Sequence, residues 1–408
     1  PSFVYDSSLS AGTANPAFAN ASVIDTDCST GNNSRMITLQ NSVIRHNRGI
    51  AGTDPTGVAF ECGSDFRVVN NEIYDWSSHN IQIGHNGGPT IPGVVIENND
   101  IYHTSGFAGQ GEEPIAIKAS GSANGPLQII QNRIWGARWG NSSTCCIGGG
   151  GGGAILINNG RPFQYILIQN NVLHDNRGGI NWYGAGNLTT HQSIIGNIFY
   201  KLRRNNGPYS SAIEIYDSEK LEIYLNTIID SEERTIDNGG SETDVRCNAL
   251  IASGNRAGGT PPSSYRADNN AFYGTSVISY NGTGSHISKS LTDRIGDSDY
   301  AVGSVVRWAN AAQCTDPNDA ACYLYMAKTA GTSGAAGVEA CTTLGCTFTD
   351  GSVTWQAIRG PYTFWRKQRT TPERVVIPYA RVHASAPEAY ACPVNYSERS
   401  GIGINDSY

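Results

Sequence analysis

One unit recurs along this chain, and no other feature limits the possible folds as strongly. Each copy holds an apolar alternation, a short polar turn, a second alternation and then Asn-x-Ile or a close variant, as in "IAIKASGSANGPLQIIQNRIWG" at 115–136. The copies follow one another at spacings of 22 to 38 residues, and repeats of this length indicate stacked structural units. The marker asparagines are Asn71, Asn99, Asn132, Asn170, Asn197 and Asn226, with weaker copies at Asn41, Asn248 and Asn270.

The period of the apolar residues indicates which type of secondary structure forms the stacked units. Short alternating runs predict strands that turn every second side chain inward, so that Ile, Val and Leu stack from copy to copy. An asparagine repeated at one corner can hydrogen-bond to its equivalents above and below. We therefore predict an all-β fold, a single-stranded right-handed parallel β-helix of the pectate-lyase-like type, in which nine rungs span roughly 40 Å at ~4.8 Å each.

Residues 290–360 break the repeat. The segments "YAVGSVVRW", "CYLYMAKTAGTSG" and "FTDGSVTWQAI" are typical of hairpin strands joined by glycine turns. We therefore divide the chain into a β-helix at 1–289, a small disulfide-bearing β-hairpin insert at 290–360 and a C-terminal return to the β-helix at 361–408. The sequence leaves two roles open for the insert, sugar binding and capping of the column.

The charge and hydropathy of the chain limit its partners. A net charge of −7 disfavours a nucleic-acid groove, although a local basic cleft can still bind an acidic substrate. No apolar run approaches the roughly 18 residues that a membrane span needs, so we expect no membrane partner. We expect the protein to act as a monomer.

The ten cysteines fit an oxidising compartment. The chain begins at Pro1 without Met, so we expect a secretion signal to have been removed, and a secreted, periplasmic or cell-surface location. The spacings predict small-loop disulfides for Cys314/Cys322 and Cys341/Cys346 and allow longer bridges among Cys28, Cys62, Cys247 and Cys392, while the adjacent Cys145 and Cys146 each pair elsewhere or form a strained bond. No Cys/His spacing is typical of zinc.

Aligning the first strand of each rung predicts which side chains share an outer face. One column reads Glu61, Gly84, Lys118, Asn158, Tyr183 and Tyr216, and the other reads Ala59, Gln82, Ala116, Leu156, Asn181 and Glu214. Amides, phenols and charged groups along a groove suit a sugar chain, because rings stack on aromatic side chains and amides bind hydroxyls. Corner loops add Arg138, Trp139, His174 and Arg177, which favour an anionic ligand.

Each candidate also has an ordinary structural interpretation. Lys118 can be a solvated surface lysine, and Tyr183 and Tyr216 can simply cover the rungs. His174 can make a hydrogen bond within a corner loop. Glu214 and Asp217 can form a hydrogen-bonding surface pair.

The stretch Glu113-Pro114-Ile115-Ala116-Ile117-Lys118-Ala119-Ser120 resembles the E-x-I-x-x-K-S pattern of the chondroitinase B and alginate lyase family of β-helix polysaccharide lyases. The resemblance implies that Lys118 is the general base and that Glu113 binds Ca²⁺, with Glu112 or Asn86 as helpers. The family's R-H-G corresponds to Asn158-Asn159-Gly160-Arg161 here, and its G-G-I-R-x-x-G corresponds to residues 178–184 with Asn181 in place of arginine. We expect Arg161 or Arg138 to supply the missing charge.

The hypothesis that follows is β-elimination of an acidic, uronate-containing polysaccharide such as alginate, a glycosaminoglycan or a biofilm exopolysaccharide. Lys118 is the proposed base, with Tyr183 or His174 as the reserve base or acid. The groups expected to bind the substrate, including its carboxylate, are Arg138, Arg161, Arg177, Asn158, Asn181, Glu214, Tyr216 and Trp139.

Two alternatives stay open. A glycoside hydrolase on the same fold would use a carboxylate pair, either Glu214 with Asp217 or Glu61 with Glu113. The third possibility is a tail-fibre-like sugar binder without catalysis.

Overall fold

The fold is known from a computed structural model. It describes residues 4–6, 24–25, 36–45, 56–76, 78–84, 91, 93–104, 113–118, 124–137, 153–158, 163–183, 192–203, 211–215, 221–232, 235–238, 243–252, 266–274, 287–308, 313–335, 338–366 and 372–387. The strands of these residues, numbered β1 to β36 in chain order, form three long parallel sheets, a six-stranded sheet and a two-stranded ribbon.

The chain visits the three long sheets in turn, so that each circuit adds one rung to every sheet. Sheet 1 contains β1 (Val4–Asp6), β4 (Val43–Arg45), β7 (Glu72–Tyr74), β10 (Asp100–Tyr102), β13 (Arg133–Trp135), β16 (Val172–His174), β19 (Ile198–Leu202), β22 (Thr227–Ser231), β25 (Ala249–Ile251), β27 (Ala271–Tyr273) and β28 (Ile287–Lys289). Sheet 2 contains β2 (Ile24–Asp25), β5 (Val58–Phe60), β8 (Ile81–Ile83), β11 (Ile115–Ile117), β14 (Gly153–Asn158), β17 (Gly178–Tyr183), β20 (Ile213–Ile215) and β23 (Ile236–Asn238). Sheet 3 contains β3 (Thr38–Gln40), β6 (Phe66–Val69), β9 (Val94–Glu97), β12 (Asn124–Ile130), β15 (Phe163–Gln169), β18 (Gln192–Ile195), β21 (Leu221–Tyr224), β24 (Thr243–Arg246) and β26 (Arg266–Asp268).

The core consists of apolar side chains stacked between rungs, as the alternation predicted. In sheet 2 one stack runs through Ile81, Ile115, Ile155, Ile180, Ile213 and Ile236. Every member is buried, with at most 1% of its surface exposed. Because each rung is too thin to bury its own apolar face, the stack of rungs is the stable unit. The predicted parallel β-helix is confirmed.

An asparagine ladder runs along the corner between sheets 3 and 1. The backbone N–H and Nδ2 of Asn71 both donate to Oδ1 of Asn99, at 2.8 and 3.0 Å. The same pattern links the following members, Asn132, Asn171, Asn197, Asn226, Asn248 and Asn270.

Two of the predicted ladder positions are wrong by one residue. Asn171 rather than Asn170 is the ladder member, and Ser42 rather than Asn41 occupies the corresponding place at the start, where its N–H donates to Oδ1 of Asn71. Asn41 and Asn170 instead adopt left-handed backbone conformations immediately before the ladder position. Both kinds of position favour asparagine, which explains the ambiguity.

After β28, the last strand of sheet 1, the chain forms a mainly antiparallel sheet, which we call the C-terminal sheet. Its elements are β29 (Leu291–Asp293), β31 (Val305–Arg307), β32 (Leu324–Ala327), β34 (Thr347–Asp350), β35 (Val353–Arg366) and β36 (Glu373–Val382), with the ribbon of β30 (Asp299–Tyr300) and β33 (Gly331–Thr332) and a short 3-10 helix at Ala320–Cys322. The long strand β35 runs through residue 360, where the sequence suggested a boundary, and pairs with β36. The division of the chain into domains stays a prediction.

The hairpin of β35 and β36 packs on the outer face of sheet 1. Tyr362, Phe364 and Ile377 share one buried cluster with Val172 and Tyr200 of the β-helix. The β35–β36 hairpin and the β-helix are therefore joined through apolar side chains.

The small-loop disulfides Cys314–Cys322 and Cys341–Cys346 form as predicted, and Cys62 and Cys247 are disulfide-bonded as well. Disulfides of this kind fit an extracellular or periplasmic protein. Among the described residues, no helix is long and apolar enough to cross a membrane.

Candidate active site

The outer face of sheet 2 carries the two side-chain columns that the alignment predicted. Cα pairing joins one column residue by residue, through Ala59, Gln82, Ala116, Leu156, Asn181 and Glu214. In the second column Asn158 pairs with Tyr183, and Lys118 directly follows β11 on the rung before. Lys118, Asn158 and Tyr183 are each partly exposed on three consecutive rungs.

Lys118 belongs to a cluster that the sequence did not predict. Its Nζ lies 2.7 Å from Nε2 of His79, which precedes β8 on the neighbouring rung. His79 is fully buried, and its Nδ1 lies 3.0 Å from the backbone oxygen of Glu113. The Glu113 carboxylate is 3.7 Å from the same nitrogen. We call Lys118, His79 and Glu113 the lysine cluster.

The protonation of His79 follows from its surroundings. A carbonyl oxygen only accepts hydrogen bonds, so Nδ1 of His79 donates to Glu113. Burial, followed by the positive charge of Lys118, lowers the pKa of His79 to about 3, against the opposing effect of the Glu113 hydrogen bond. Nearby His103 lowers that pKa further. At neutral pH the imidazole is therefore uncharged, and the lone pair of Nε2 accepts a hydrogen bond from Lys118.

A second cluster forms two rungs further along. The Asn181 amide donates to Oε2 of Glu214 at 3.3 Å, and the Tyr183 hydroxyl donates to the same oxygen at 3.4 Å. Glu214 is 1% exposed, so these donors satisfy a carboxylate withdrawn from bulk water. The next rung adds Asp237, which pairs with Glu214 across neighbouring strands and is 8% exposed.

The two clusters lie on different rungs of the same sheet. Lys118 is on the rung of β11, Tyr183 on that of β17 and Glu214 on that of β20. At ~4.8 Å per rung, the backbones of Lys118 and Tyr183 are about 10 Å apart. Both side chains are long enough to reach a common point above the rung that lies between them.

His174 lies elsewhere, on the outer face of sheet 1. Its ring is fully buried, stacks on Trp135 with centroids 5.6 Å apart and meets the edge of Phe364 from the β35 hairpin. Its Nδ1 lies 2.7 Å from the carboxylate of Asp175. The structure therefore does not bring His174 together with Lys118, because the two residues project from different sheets.

The other predicted residues divide into two groups. Arg177 precedes β17, is 1% exposed and donates its backbone N–H to Ala137. Five of the predicted site residues lie outside the described part of the chain, namely Glu112, Arg138, Trp139, Arg161 and Tyr216, as do Asn86 and Asp217.

A calcium site was expected at Glu113. Within the described ranges, no group of three or more His, Cys, Asp or Glu side chains is placed to hold a metal ion. That finding does not bear on a calcium ion held by backbone and amide oxygens. The Glu113 carboxylate lies 3.7 Å from Nδ1 of His79. Calcium stays a prediction, and no chemical step below depends on it.

Two residues of this surface were missed by the sequence reasoning. Asp237 would have been found by continuing the alignment one rung further, because "TIDN" at 235–238 occupies the place of "AIEI" at 212–215. His79 precedes β8 by the same interval as Glu113 precedes β11, but nothing in the sequence shows that Lys118 reaches back to it. That contact depends on the stacking of the rungs.

Comparison with models of known protein families, with curated proteins and with solved structures finds no match to this chain.

Proposed function

We propose that this protein is a polysaccharide lyase that cleaves an acidic, uronate-containing polysaccharide by β-elimination. The observation that supports it most is the row of Lys118, Asn158 and Tyr183 on consecutive rungs of one outer face, with the Lys118 amine held by a buried imidazole. The resemblance of residues 113–120 to a family of β-helix lyases points in the same direction.

In this proposal each of the three side chains has a separate task. Lys118 first releases a proton to solvent, and the lone pair of its amine then removes the C5 proton of the uronate, while the electron pair of that C–H bond forms the C4–C5 double bond. The C4–O bond breaks at the same time, and the Tyr183 hydroxyl gives its proton to the leaving oxygen. Asn158, on the rung between them, donates hydrogen bonds to the uronate carboxylate and stabilises the charge that develops there.

The same proposal includes a secreted or periplasmic protein that acts as a monomer on its substrate. Disulfides in the C-terminal sheet support the compartment. The insert at 290–360 is proposed either to bind sugar or to cap the column.

A hydrolase is the second candidate, and one observation favours it. Glu214 and Asp237 project from neighbouring strands of the same face, and both are more than nine-tenths buried. Adjacent strands lie about 4.8 Å apart. Retaining glycosidases hold their two carboxyl groups at a similar separation, about 5–5.5 Å.

The test measures which product forms. The protein is incubated with a panel of acidic polysaccharides, with calcium or with chelator, and both ultraviolet absorbance and reducing ends are followed. We expect absorbance from unsaturated uronate to grow. Reducing ends without absorbance would refute elimination and support hydrolysis, in which case Glu214→Gln and Asp237→Asn should abolish activity. Binding without cleavage would support a sugar-binding protein.

Variants then test the role of Lys118. We expect Lys118→Ala to lower kcat by at least about 10³-fold while the protein stays folded, with a modestly lower thermal midpoint, because the side chain is partly exposed but its loss orphans the buried Nε2 of His79. Lys328→Ala, which removes an exposed lysine of the C-terminal sheet, is the matched control and should keep full turnover. Full turnover by Lys118→Ala would refute the assignment.

A further inference from the structure

The partner of Lys118 is unusual for a lysine on an outer face. Such a side chain ordinarily extends into water, but here Nζ turns back to a nitrogen that is fully buried. Nε2 of His79 can only accept, because the proton of the neutral ring is engaged on Nδ1 with the Glu113 backbone oxygen. The contact is therefore directional, with a Lys118 N–H pointing into the Nε2 lone pair.

We propose that His79 is a positioning residue for Lys118, an inference that rests on the proposed function. The hydrogen bond to Nε2 selects one rotamer of a long and flexible side chain. When the amine is unprotonated, the N–H that points to His79 leaves the nitrogen lone pair directed away from it, towards the groove. Because the Glu113 backbone oxygen accepts from Nδ1, Nε2 is the ring nitrogen that accepts from Lys118. Glu113 therefore acts on Lys118 only through His79.

The groups around His79 agree with this role. Glu113 approaches it from the start of β11, and His103, which is 4% exposed and follows β10 of sheet 1, is close enough to lower the pKa of His79. All of these residues belong to rungs whose backbones are hydrogen-bonded to each other, as in the bond from Ile81 N–H to Pro114 oxygen at 2.9 Å. A rigid support of this kind can hold a reacting group to within a fraction of an ångström, and displacement by about 1 Å can cost about 10²-fold in rate.

Two substitutions distinguish the hydrogen bond made by Nε2 of His79 from the one made by Nδ1. His79→Gln places an amide oxygen near the position of Nε2 and can still accept from Lys118. His79→Asn places an amide N–H near Nδ1, so it keeps the bond to Glu113 and removes the acceptor for Lys118. A residue that only supports the fold would tolerate Asn at least as well as Gln, whereas a positioning residue would tolerate Gln better.

Both variants are assayed by steady-state kinetics and by acylation of Lys118 with an amine-reactive reagent, read by mass spectrometry with exposed Lys328 as the internal reference. We expect His79→Asn to lower kcat about 10- to 100-fold with KM nearly unchanged, and His79→Gln to stay within about 3-fold of wild type. We expect Lys118 to be acylated several-fold faster in the Asn variant and at the wild-type rate in the Gln variant.

Acylation needs no turnover, so the two proposals can fail separately. Equal acylation rates of Lys118 in wild type and both variants would overturn the positioning role, whatever the enzyme does. Altered acylation with equal kcat in the two variants would also overturn it. A wild-type protein that forms no unsaturated product would refute the proposed function, and with it the contribution of His79 to that reaction.

Discussion

The residue immediately before each ladder position has a left-handed backbone conformation. Its φ angle lies between 52° and 67° at Asn41, Asn70, Asn98, Gln131, Asn170, Gly196, Leu225, Cys247 and Asn269. Glycine and asparagine adopt this conformation at little cost, but other side chains crowd the following carbonyl by about 1–2 kcal/mol. Leu225 is therefore the most strained apolar residue of this corner.

Replacing Leu225 should stabilise the protein. We expect Leu225→Asn to raise the free energy of unfolding by about 0.5–1 kcal/mol, because the side chain is only half-buried and its backbone conformation suits asparagine. Urea unfolding measures the change. Leu225→Val, which is branched at Cβ, should lower stability at the same site. A less stable Asn variant would contradict the prediction.

At the scale of the element, the ladder joins neighbouring rungs through buried polar groups. Oδ1 of Asn171 accepts from both the N–H and Nδ2 of Asn132, and its own Nδ2 donates to the Ile129 backbone oxygen at 2.8 Å. Asn171 is completely buried. Because these groups are buried, bulk water does not reach them to replace a lost partner, so each rung depends on the amide of the next.

We expect Asn171→Ala to lower the free energy of unfolding by about 3 kcal/mol or more, since it orphans at least two buried polar groups at about 1–3 kcal/mol each. Asn170→Gly is the control one residue away, and it should change stability by less than about 1 kcal/mol because glycine accepts the left-handed conformation. Both are measured by urea unfolding. Equal losses in the two variants would contradict this account of the ladder.

The sequence predicted the strands of the β-helix correctly, but it placed two members of the asparagine ladder one residue too early. Alternation of apolar residues has a period of two and so indicates both the strands and their register, which is why Asn158 and Tyr183 were aligned correctly. The pair Asn170-Asn171 could not be resolved by residue type, because the left-handed position and the ladder position both favour asparagine. The strand register identifies the second residue of the pair, because Leu173 takes the place of Ile134 on the rung before.

At the scale of the whole molecule, burial of neutral histidines couples stability to pH. The pKa of His79 falls from its ordinary value of 6.5 to about 3, chiefly through burial. Burial also lowers the pKa of His174, against the opposing effect of the hydrogen bond that its Nδ1 donates to Asp175. Below pH 6.5 the unfolded chain binds protons that the native protein rejects, so the stabilising contribution is complete above pH 6.5 and is lost as the pH falls towards 3.

We expect wild type to lose about 3 kcal/mol more stability than His79→Gln between pH 7.5 and 4.5, at about 1.4 kcal/mol for each pH unit below 6.5. Urea midpoints of both proteins at the two pH values measure this difference. His174 is present in both proteins, so its contribution cancels. Parallel losses of stability in wild type and variant would show that His79 takes up its proton in the native state.

The amino-acid pattern alone determined the parallel β-helix, the outward columns of sheet 2 and the small-loop disulfides, because each is encoded by spacing between residues close in sequence. Only the tertiary structure decided which side chains meet across rungs and sheets. In the folded protein Lys118 contacts His79, which lies 39 residues earlier in the sequence. His174 projects from sheet 1 instead, where its ring contacts Phe364. Contacts of this kind depend on the rotamers and lengths of side chains that stacking brings together, so a periodic pattern in the sequence does not predict them.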